Sequence, residues 1–367
     1  MLDSVGEPNR KNYPRTMRND GQLGTTGMYD WTPGFFPGSL WYLYELTEKE
    51  EWKEAAQKWT ESLESLKTFT GHHDLGFMMY CSYGNAERLA PKPEYKEILI
   101  ESAKSLSSRY SDNTETIKSW NYRRAWNDTT EWFYPVIIDN MMNLEMLFYA
   151  TKISGDSTFY NIAVKHADTT LKNHFREDYT TYHVVDYDTI TGAVLDRATC
   201  QGFSDNSTWA RGQAWAIYGY TMTYRETKDS KYLDAAIKAT DVYLKNLPDD
   251  LIPVWDFNVG EEEYFPEGKS YAVQFREKSK DASAAAIVCS ALFELSDLAN
   301  NPGYKDKAIQ MLQSLASSEY RANLGANANF LLMHSVGSIP HKTEIDKPLV
   351  YADYYFLEAL TRYKKTI

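Results

Sequence analysis

The sequence predicts an all-α toroid, with an inner ring of apolar helices inside an outer ring of amphipathic helices. Two observations predict this fold. A degenerate repeat recurs five times along the 367 residues, and an apolar segment rich in small residues precedes each copy. Each copy opens with an aromatic residue and then places apolar residues at helical spacing, which is typical of a helix with one buried face. Five such hairpins favour a closed ring over two separate domains.

The predicted helices follow one another in pairs. The outer helices are expected at Glu51–Leu63, Glu94–Leu106, Thr158–Leu171, Lys231–Leu244 and Gly303–Leu315. The inner helices before them are expected in PGSLWYLYELT, LGFMMYCSYGNAERL, NMMNLEMLFYATKIS, AWAIYGYTMTYRET and ASAAAIVCSALFELSDLA. An eleventh helix, roughly Pro348–Tyr363, ends the chain unpaired. Because six pairs need twelve helices, we expect one catalytic domain over residues 1–367 whose first helix is truncated or reduced to a remnant.

Three less regular segments lie between the hairpins, where functional residues usually concentrate. Tyr182–Cys200 alternates apolar and polar residues around a Thr-Gly pair, which predicts a β-hairpin. Ser111–Pro135 is rich in tryptophan, and Arg321–Lys347 is rich in Gly, Asn, Ser and His. Both are interpreted as loops.

Composition narrows the class of ligand. The net charge of −12 disfavours binding to a nucleic-acid backbone, and no apolar run approaches the roughly 20 residues that cross a membrane. Cys81, Cys200 and Cys289 are too few and too widely spaced to indicate a disulfide framework or a zinc site. Aromatic residues make up 14% of the chain, which is typical either of a carbohydrate cleft or of an aromatic-rich core.

The N-terminal residues are polar and contain no apolar signal-peptide segment. This pattern leaves two compartments open, the cytoplasm and, if a secretion signal has been removed, the bacterial periplasm. The sequence does not indicate the oligomeric state.

Two aspartates stand where inner helices are predicted to begin. Asp139 follows the apolar run PVII, and Asp74 lies in HHDLGF. A carboxylate at such a position either caps the helix or, when desolvated, acquires a raised pKa, and position alone leaves both open. Because the inner helices of a toroid begin around one mouth, we expect the two carboxylates to face each other, as acid and base chemistry on a sugar requires.

The segment Gln201–Trp215 suggests an anion site. Arg211 and Trp215 are four residues apart on one predicted helical face. A guanidinium over an indole would seat a planar anion such as a uronate carboxylate, and a surface cation–π pair is the alternative. Since a chain of net charge −12 repels an anionic sugar, a focused cation would be needed.

Three further side chains are ligand candidates with a purely structural alternative. His183, on the predicted hairpin, would hydrogen-bond substrate or orient a water molecule. Trp31 in DWTPGFFPG and Trp120 in SWNY would serve as platforms for sugar rings. No HExxH, Walker, GxGxxG or GxSxG motif occurs, which disfavours metalloprotease, nucleotide and serine-hydrolase chemistry.

Five blocks in order resemble the unsaturated glucuronyl hydrolases of glycoside hydrolase family 88: DWTPGFFPGSLWYLYE, HDLGF, PVIIDNMMNLEML, SDNSTWARGQAWAIYGY and EIDKPLVYADYYFLEAL. The resemblance covers about Tyr13 to Tyr363. It implies an (α/α)6 barrel with small β-hairpins near the active-site mouth. It also implies removal of a 4,5-unsaturated uronic acid from the non-reducing end of oligosaccharides made by polysaccharide lyases, with no metal or organic cofactor.

The resemblance also implies roles for individual residues. The catalytic pair falls on Asp74 and Asp139. The substrate contacts fall on His183, Arg211, Trp215, Trp31 and Trp120. A segment that often reads HGSEID in the family is HKTEID here, so Lys342 is expected to favour a sulfated or otherwise anionic neighbouring sugar.

The implied mechanism is hydration of an enol ether. Asp139 is the expected proton donor to C4 because its apolar flank should keep it protonated near neutral pH. The alternatives are an unsaturated rhamnogalacturonyl hydrolase, a non-catalytic glycan-binding protein and a structural helical-repeat scaffold. A sugar epimerase is disfavoured because it would call for paired acid and base histidines, and only His183 lies within a chemical motif.

Overall fold

The computed structural model describes residues 1–367, and its helices form a double ring, an (α/α)6 barrel. The helices are α1 (Leu2–Val5), α2 (Phe35–Thr47), α3 (Glu50–Glu61), α4 (Asn85–Leu89), α5 (Pro93–Ser107), α6 (Leu144–Ser154), α7 (Ser157–His174), α8 (Ala210–Thr227), α9 (Ser230–Lys245), α10 (Ala282–Leu298), α11 (Pro302–Ala316) and α12 (Val350–Lys364). A π-helical segment, Gly76–Gly84, leads into α4. A 3-10 segment, Ile138–Asn143, leads into α6.

The strands are short and lie in the connections between helices. They are β1 (Tyr13–Met17), β2 (Leu23–Thr26), β3 (Tyr110–Ser111), β4 (Thr116–Ile117), β5 (Arg123–Arg124), β6 (Glu131–Trp132), β7 (Pro135–Ile137), β8 (Val184–Tyr187), β9 (Val194–Ala198), β10 (Ser335–Ser338) and β11 (Thr343–Lys347). Four antiparallel pairs and one three-stranded sheet result.

The inner ring closes on itself. Its members are α2, the π segment with α4, α6, α8, α10 and α12, and α12 packs against both α10 and α2. The outer helices α3, α5, α7, α9 and α11 each follow an inner helix and pack on it. The five predicted hairpins and the eleventh helix are therefore confirmed. A cluster of 85 buried hydrophobic residues joins the two rings, so they share one core.

The π-helical segment differs from the regular helix that the sequence predicts at this place. Gly76 packs directly on the 3-10 segment, because a Cβ at Gly76 would come within 2.6 Å of Asn143 Oδ1 and closer still to its Cα. The Phe77 N–H also donates to Asn143 Oδ1 at 3.2 Å. Apolar spacing does not distinguish an α-helix from a π-helix when both bury their side chains. Such segments are frequent at functional sites.

The predicted hairpin within Tyr182–Cys200 is confirmed as β8 and β9. The structure adds β7 from the Trp-rich segment as a third strand, with Ile137 opposite Val184. One residue further, the Ile138 N–H donates to the His183 carbonyl at 3.0 Å. This pairing places the start of the 3-10 segment beside His183. The remaining strand pairs were not predicted. Strands β3 to β6 have only two residues each, too few to show an alternating pattern.

Two further features concern the cysteines and the apolarity of the helices. Cys81, Cys200 and Cys289 are buried and unpaired. Within the folded chain, no helix combines the length and the apolarity needed to span a bilayer.

Replacing Gly76 with alanine is expected to destabilise the fold by about 1–3 kcal/mol, because the added methyl must displace backbone atoms of the 3-10 segment. Urea unfolding followed by circular dichroism measures this change. Gly303→Ala is the matched control, since its nearest neighbour is the side-chain oxygen of Asn301 at 3.1 Å. Equal stability of the two variants would contradict the close packing at Gly76.

Candidate active site

The inner helices begin around one mouth of the barrel, where polar side chains collect. Asp74 directly precedes the helical residues Leu75 and Gly76, and Asp139 lies in the first turn of the 3-10 segment. Arg211 is the second residue of α8, and Asp281 is the N-cap residue of α10. Arg211 donates to Asp281 Oδ2 at 2.9 Å, and its charge and that of Asp74 both act on Asp139.

Asp139 does not cap a helix. Neither the 3-10 segment nor the π segment has a side-chain cap, and the buried Oδ2 atom of Asp139 has no hydrogen-bond partner in the protein. Burial raises the pKa of Asp139 to about 7, with Arg211 opposing the shift and Asp74 adding to it. The desolvated-acid interpretation is therefore the correct one, and a large share of Asp139 is protonated at neutral pH.

Asp74 lies in the opposite electrostatic environment. Its carboxylate is 3.0 Å from His72 Nδ1 and 3.3 Å from His73 Nε2. Burial raises the pKa of Asp74, but the two histidines and Arg109 lower it by more, so it lies below its ordinary value. Burial lowers the pKa of His73, whereas the hydrogen bond that His72 donates to Asp74 raises the pKa of His72 despite burial. Because His72 is the more readily protonated of the two histidines, we assign the lowered pKa of Asp74 mainly to His72. At neutral pH Asp74 is therefore ionised, whereas a large share of Asp139 is protonated.

His183 is fixed as a hydrogen-bond donor. Its Nδ1 accepts the backbone N–H groups of Cys200 at 3.0 Å and Gln201 at 3.2 Å. Burial first, and then the charge of Arg211, lower the pKa of His183 well below its ordinary value, so the ring is neutral. The proton must then be on Nε2, which lies 3.7 Å from Asp139 Oδ2.

The predicted stacking of Arg211 on Trp215 is wrong. The guanidinium lies over the ring of Trp209, 4.4 Å from its centroid. Trp209 precedes the first residue of α8 in an extended conformation, so the spacing of residues within the helix gave no indication of it. Arg211 is only 1% exposed and also donates to the carbonyls of Val336 and Gly337.

Trp215 lies close to Asp139 and packs among aromatic rings. Its buried ring packs at 5.1 Å from that of Phe77 and 5.4 Å from that of Tyr355. Trp215 lowers the pKa of Asp139, although by less than burial raises it. The aromatic surplus therefore serves both the core and the lining of the mouth.

Trp31 and Trp120 are partly buried instead of standing in exposed loops. Trp31 packs against Tyr351 with 4.8 Å between the ring centroids. Trp120 lies edge-on to His183 at 6.3 Å. Lys342 is exposed between β10 and β11, with its Nζ 4.1 Å from the ring centroid of Tyr271, and the structure does not bring it to the aspartates.

Four buried polar atoms around the aspartates have no protein partner, namely His73 Nε2, Asp139 Oδ2, His183 Nε2 and Trp215 Nε1. Buried polar groups are normally paired, so such a cluster marks a place where a polar ligand can bind. The sequence analysis missed His72, His73 and Trp209, although the His-His pair before Asp74 was a visible signal. No group of three or more His, Cys, Asp or Glu side chains is arranged to hold a metal ion.

Comparison with known proteins shows which family the chain resembles over nearly its whole length. The model of Glycosyl Hydrolase Family 88 matches residues 7–355. An unsaturated glucuronyl hydrolase of Formosa agariphila is 49% identical over 360 residues, which cover 97% of this chain and 86% of that protein.

Two solved structures extend the comparison. A crystal structure of an unsaturated glucuronyl hydrolase specific for heparin matches with a TM-score of 0.89 and 42% identity, covering 99% of this chain and 92% of that one. A mutant of the Streptococcus agalactiae unsaturated glucuronyl hydrolase, complexed with dGlcA-GalNAc6S, matches with a TM-score of 0.80 and 29% identity, covering 100% and 88%.

The raised pKa of Asp139 predicts a pH-dependent gain in stability for Asp139→Asn. Because the carboxyl titrates near 7 in the folded chain against 3.8 ordinarily, the folded state loses stability as pH rises between these values. The loss is on the order of 4 kcal/mol above pH 7. Asn removes it, so thermal unfolding should show a larger gain in Tm at pH 8 than at pH 5.

Asp188→Asn is the control for this measurement. Asp188 accepts the backbone N–H groups of Ile190 and Thr191, which lower its pKa, so the same substitution should give no gain. A gain for Asp139→Asn that is independent of pH would contradict the raised pKa.

Proposed function

The chain belongs to glycoside hydrolase family 88, and we propose that it is an unsaturated glucuronyl hydrolase. Its substrate is then an oligosaccharide whose non-reducing end carries a 4,5-unsaturated uronic acid left by a polysaccharide lyase. The observation that carries this proposal is the pair of aspartates at one mouth, whose environments shift their pKa values in opposite directions. When the pKa values of two neighbouring carboxyl groups are shifted apart in this way, one group can act as an acid while the other remains a carboxylate. Residues 1–367 act as one catalytic domain in this proposal.

The reaction begins with protonation. The C4=C5 bond of the substrate forms an enol ether with the ring oxygen, and protonated Asp139 delivers its proton to C4. Positive charge then develops on C5 and is shared with the ring oxygen. Asp74, held ionised beside His72, stabilises this cation or holds the hydroxyl groups of the sugar.

Water completes the hydration at C5. Asp139, now a carboxylate, accepts a proton from the attacking water, which restores the acid for the next turnover. The product is a hemiketal at C5, which opens, and the glycosidic bond then breaks. Because the anomeric carbon is never attacked, the spacing rule for retaining and inverting glycosidases does not apply.

The remaining residues orient the substrate. His183 Nε2–H is directed towards Asp139 and would donate to a sugar hydroxyl or to the attacking water. Arg211 supplies positive potential for the uronate carboxylate, although Asp281 partly neutralises it. Trp215 lies close to Asp139 and lowers its pKa, and Trp31 and Trp120 offer ring faces to the apolar sides of the sugars.

Replacing Asp139 with asparagine should lower turnover by at least about 10²–10⁴-fold, the usual contribution of a general acid. The assay follows the ultraviolet absorbance of the C4=C5 bond with lyase-generated disaccharides from chondroitin, heparin, hyaluronan, gellan, ulvan and pectin. Binding, measured by calorimetry, should change modestly. Asp188→Asn, which retains its backbone hydrogen bonds, is the matched control and should keep wild-type turnover.

Near-normal turnover of Asp139→Asn would remove this residue from the acid role. Activity confined to the pectin-derived substrate would instead indicate an unsaturated rhamnogalacturonyl hydrolase. Binding without loss of absorbance on every substrate would indicate a glycan-binding protein.

Lys342 is proposed to favour an anionic neighbouring sugar from its exposed turn. Lys342→Ser should lower kcat/KM for a sulfated disaccharide by about two- to fivefold, the modest effect of an exposed charge pair, and leave an unsulfated one unchanged. An unchanged preference between the two substrates would exclude Lys342 from recognition.

A further inference from the structure

Arg123 is a cation in the active-site rim whose charge has no counter-charge in the protein. It lies on β5, where it pairs with Trp132, and the neighbouring Arg124 pairs with Glu131. Successive residues of a strand point to opposite faces. Arg124 therefore shares the outer face with Glu131, to which it donates at 3.3 Å, whereas Arg123 shares the inner face with fully buried Trp132.

The environment of Arg123 holds the guanidinium in place without neutralising it. Its carbon Cζ lies 5.0 Å from the ring centroid of Trp120. Its one side-chain hydrogen bond is donated to His341 Nε2. Burial, and then the charge of Arg123, lower the pKa of His341 to about 4, so this acceptor is neutral. His341 must then carry its proton on Nδ1, which lies 2.5 Å from Ser338 Oγ.

Arg211, the arginine that acts on Asp139, is partly neutralised by a carboxylate of the protein. Arg211 is ion-paired with Asp281 and donates to two carbonyls. Arg123, in contrast, has no carboxylate oxygen in contact and lies in a chain of net charge −12. A partly buried guanidinium held in this way is preorganised for an anionic ligand. It can donate hydrogen bonds to two oxygen atoms with little further loss of side-chain conformational entropy.

The position of Arg123 indicates which part of the substrate it would meet. The charges that act most strongly on Asp139 are those of Arg211 and Asp74. Two side chains lie between Arg123 and Asp139. His183 Nε2 is 3.7 Å from Asp139, the ring of Trp120 is edge-on to His183, and the guanidinium of Arg123 lies over Trp120. It is thus displaced from the reacting carbons towards the outer rim, where the sugar attached to the uronate would lie. When uronates alternate with another sugar, an anion on that neighbour is a sulfate ester.

We propose that Arg123 binds a sulfate ester on the sugar next to the unsaturated uronate, with Trp120 beneath it and His341 holding its orientation. This inference rests on the proposed function and names the substrate class of the same site. Arg123 determines the preference for sulfated over unsulfated substrate and takes no part in the proton transfers. Its contribution differs from that of Lys342, which is exposed and lies over Tyr271.

The test compares Arg123→Gln with wild type on two unsaturated disaccharides that differ only in a sulfate on the second sugar. The kcat/KM for the sulfated substrate should fall about 10- to 100-fold, as expected for loss of a hydrogen bond to a charged group. The unsulfated substrate should change less than about threefold. Arg124→Gln, on the same strand and 56% exposed, is the matched control and should leave both values unchanged.

Two outcomes would overturn the proposal. An unchanged sulfated rate in Arg123→Gln would exclude the contact. An equal fall for both substrates, with no recovery of the sulfate preference in Arg123→Lys, would mean that Arg123 only supports the loop. Unfolding curves of the variants verify that each one folds.

A separate measurement distinguishes this inference from the proposed function. If wild type hydrates neither disaccharide, the proposed function fails, and calorimetric titration with the same two sugars then tests Arg123 alone. Tighter binding of the sulfated sugar by wild type, abolished in Arg123→Gln, would support it. Equal affinities for the two sugars in wild type would overturn it.

Discussion

The closure of the inner ring by α12 is the constraint on which the site depends. α12 packs on α10 and on α2, and this contact joins the last helix of the ring to the first. Because the ring is closed, its helices begin around one mouth and bury the polar residues found there. Asp74, Asp139 and Arg211 come from three different helical units, yet the charges of Asp74 and Arg211 both act on Asp139.

Closure also explains why two similar aspartates acquire different properties. Both are nearly inaccessible to water, at 8% exposure each, and burial alone raises the pKa of any carboxyl. Asp74 is compensated by the histidines that precede it in the chain. For Asp139, burial and the charge of Asp74 both raise the pKa. Arg211, which is itself paired with Asp281, offsets this rise only in part. The difference therefore lies in the neighbours of each carboxyl, which shift the pKa values of Asp74 and Asp139 in opposite directions.

Much of the fold was predictable because its signals are local. Alternating apolar and amphipathic segments mark the inner and outer helices, and the alternating residues around Thr191-Gly192 mark the β8–β9 hairpin. The π-helical segment was not predictable, since it reflects the contact of Gly76 with Asn143, 67 residues away in the chain. The same limit applies to Trp209, which replaces Trp215 beneath Arg211 because the chain turns back before α8 begins.

The sequence by itself determined the ring of helical pairs and the family resemblance, and it pointed to the two aspartates as candidates, because each of these signals lies in contiguous residues. Only the tertiary structure decided which aspartate is protonated, which tautomer His183 adopts and which arginine is left without a counter-charge. These properties depend on burial and on atoms that distant segments bring within about 4 Å, where electrostatic interactions in a low-dielectric interior are strong. Arg123 shows this most clearly, because in the sequence it is one of two adjacent arginines and only the pairing of β5 with β6 separates their roles.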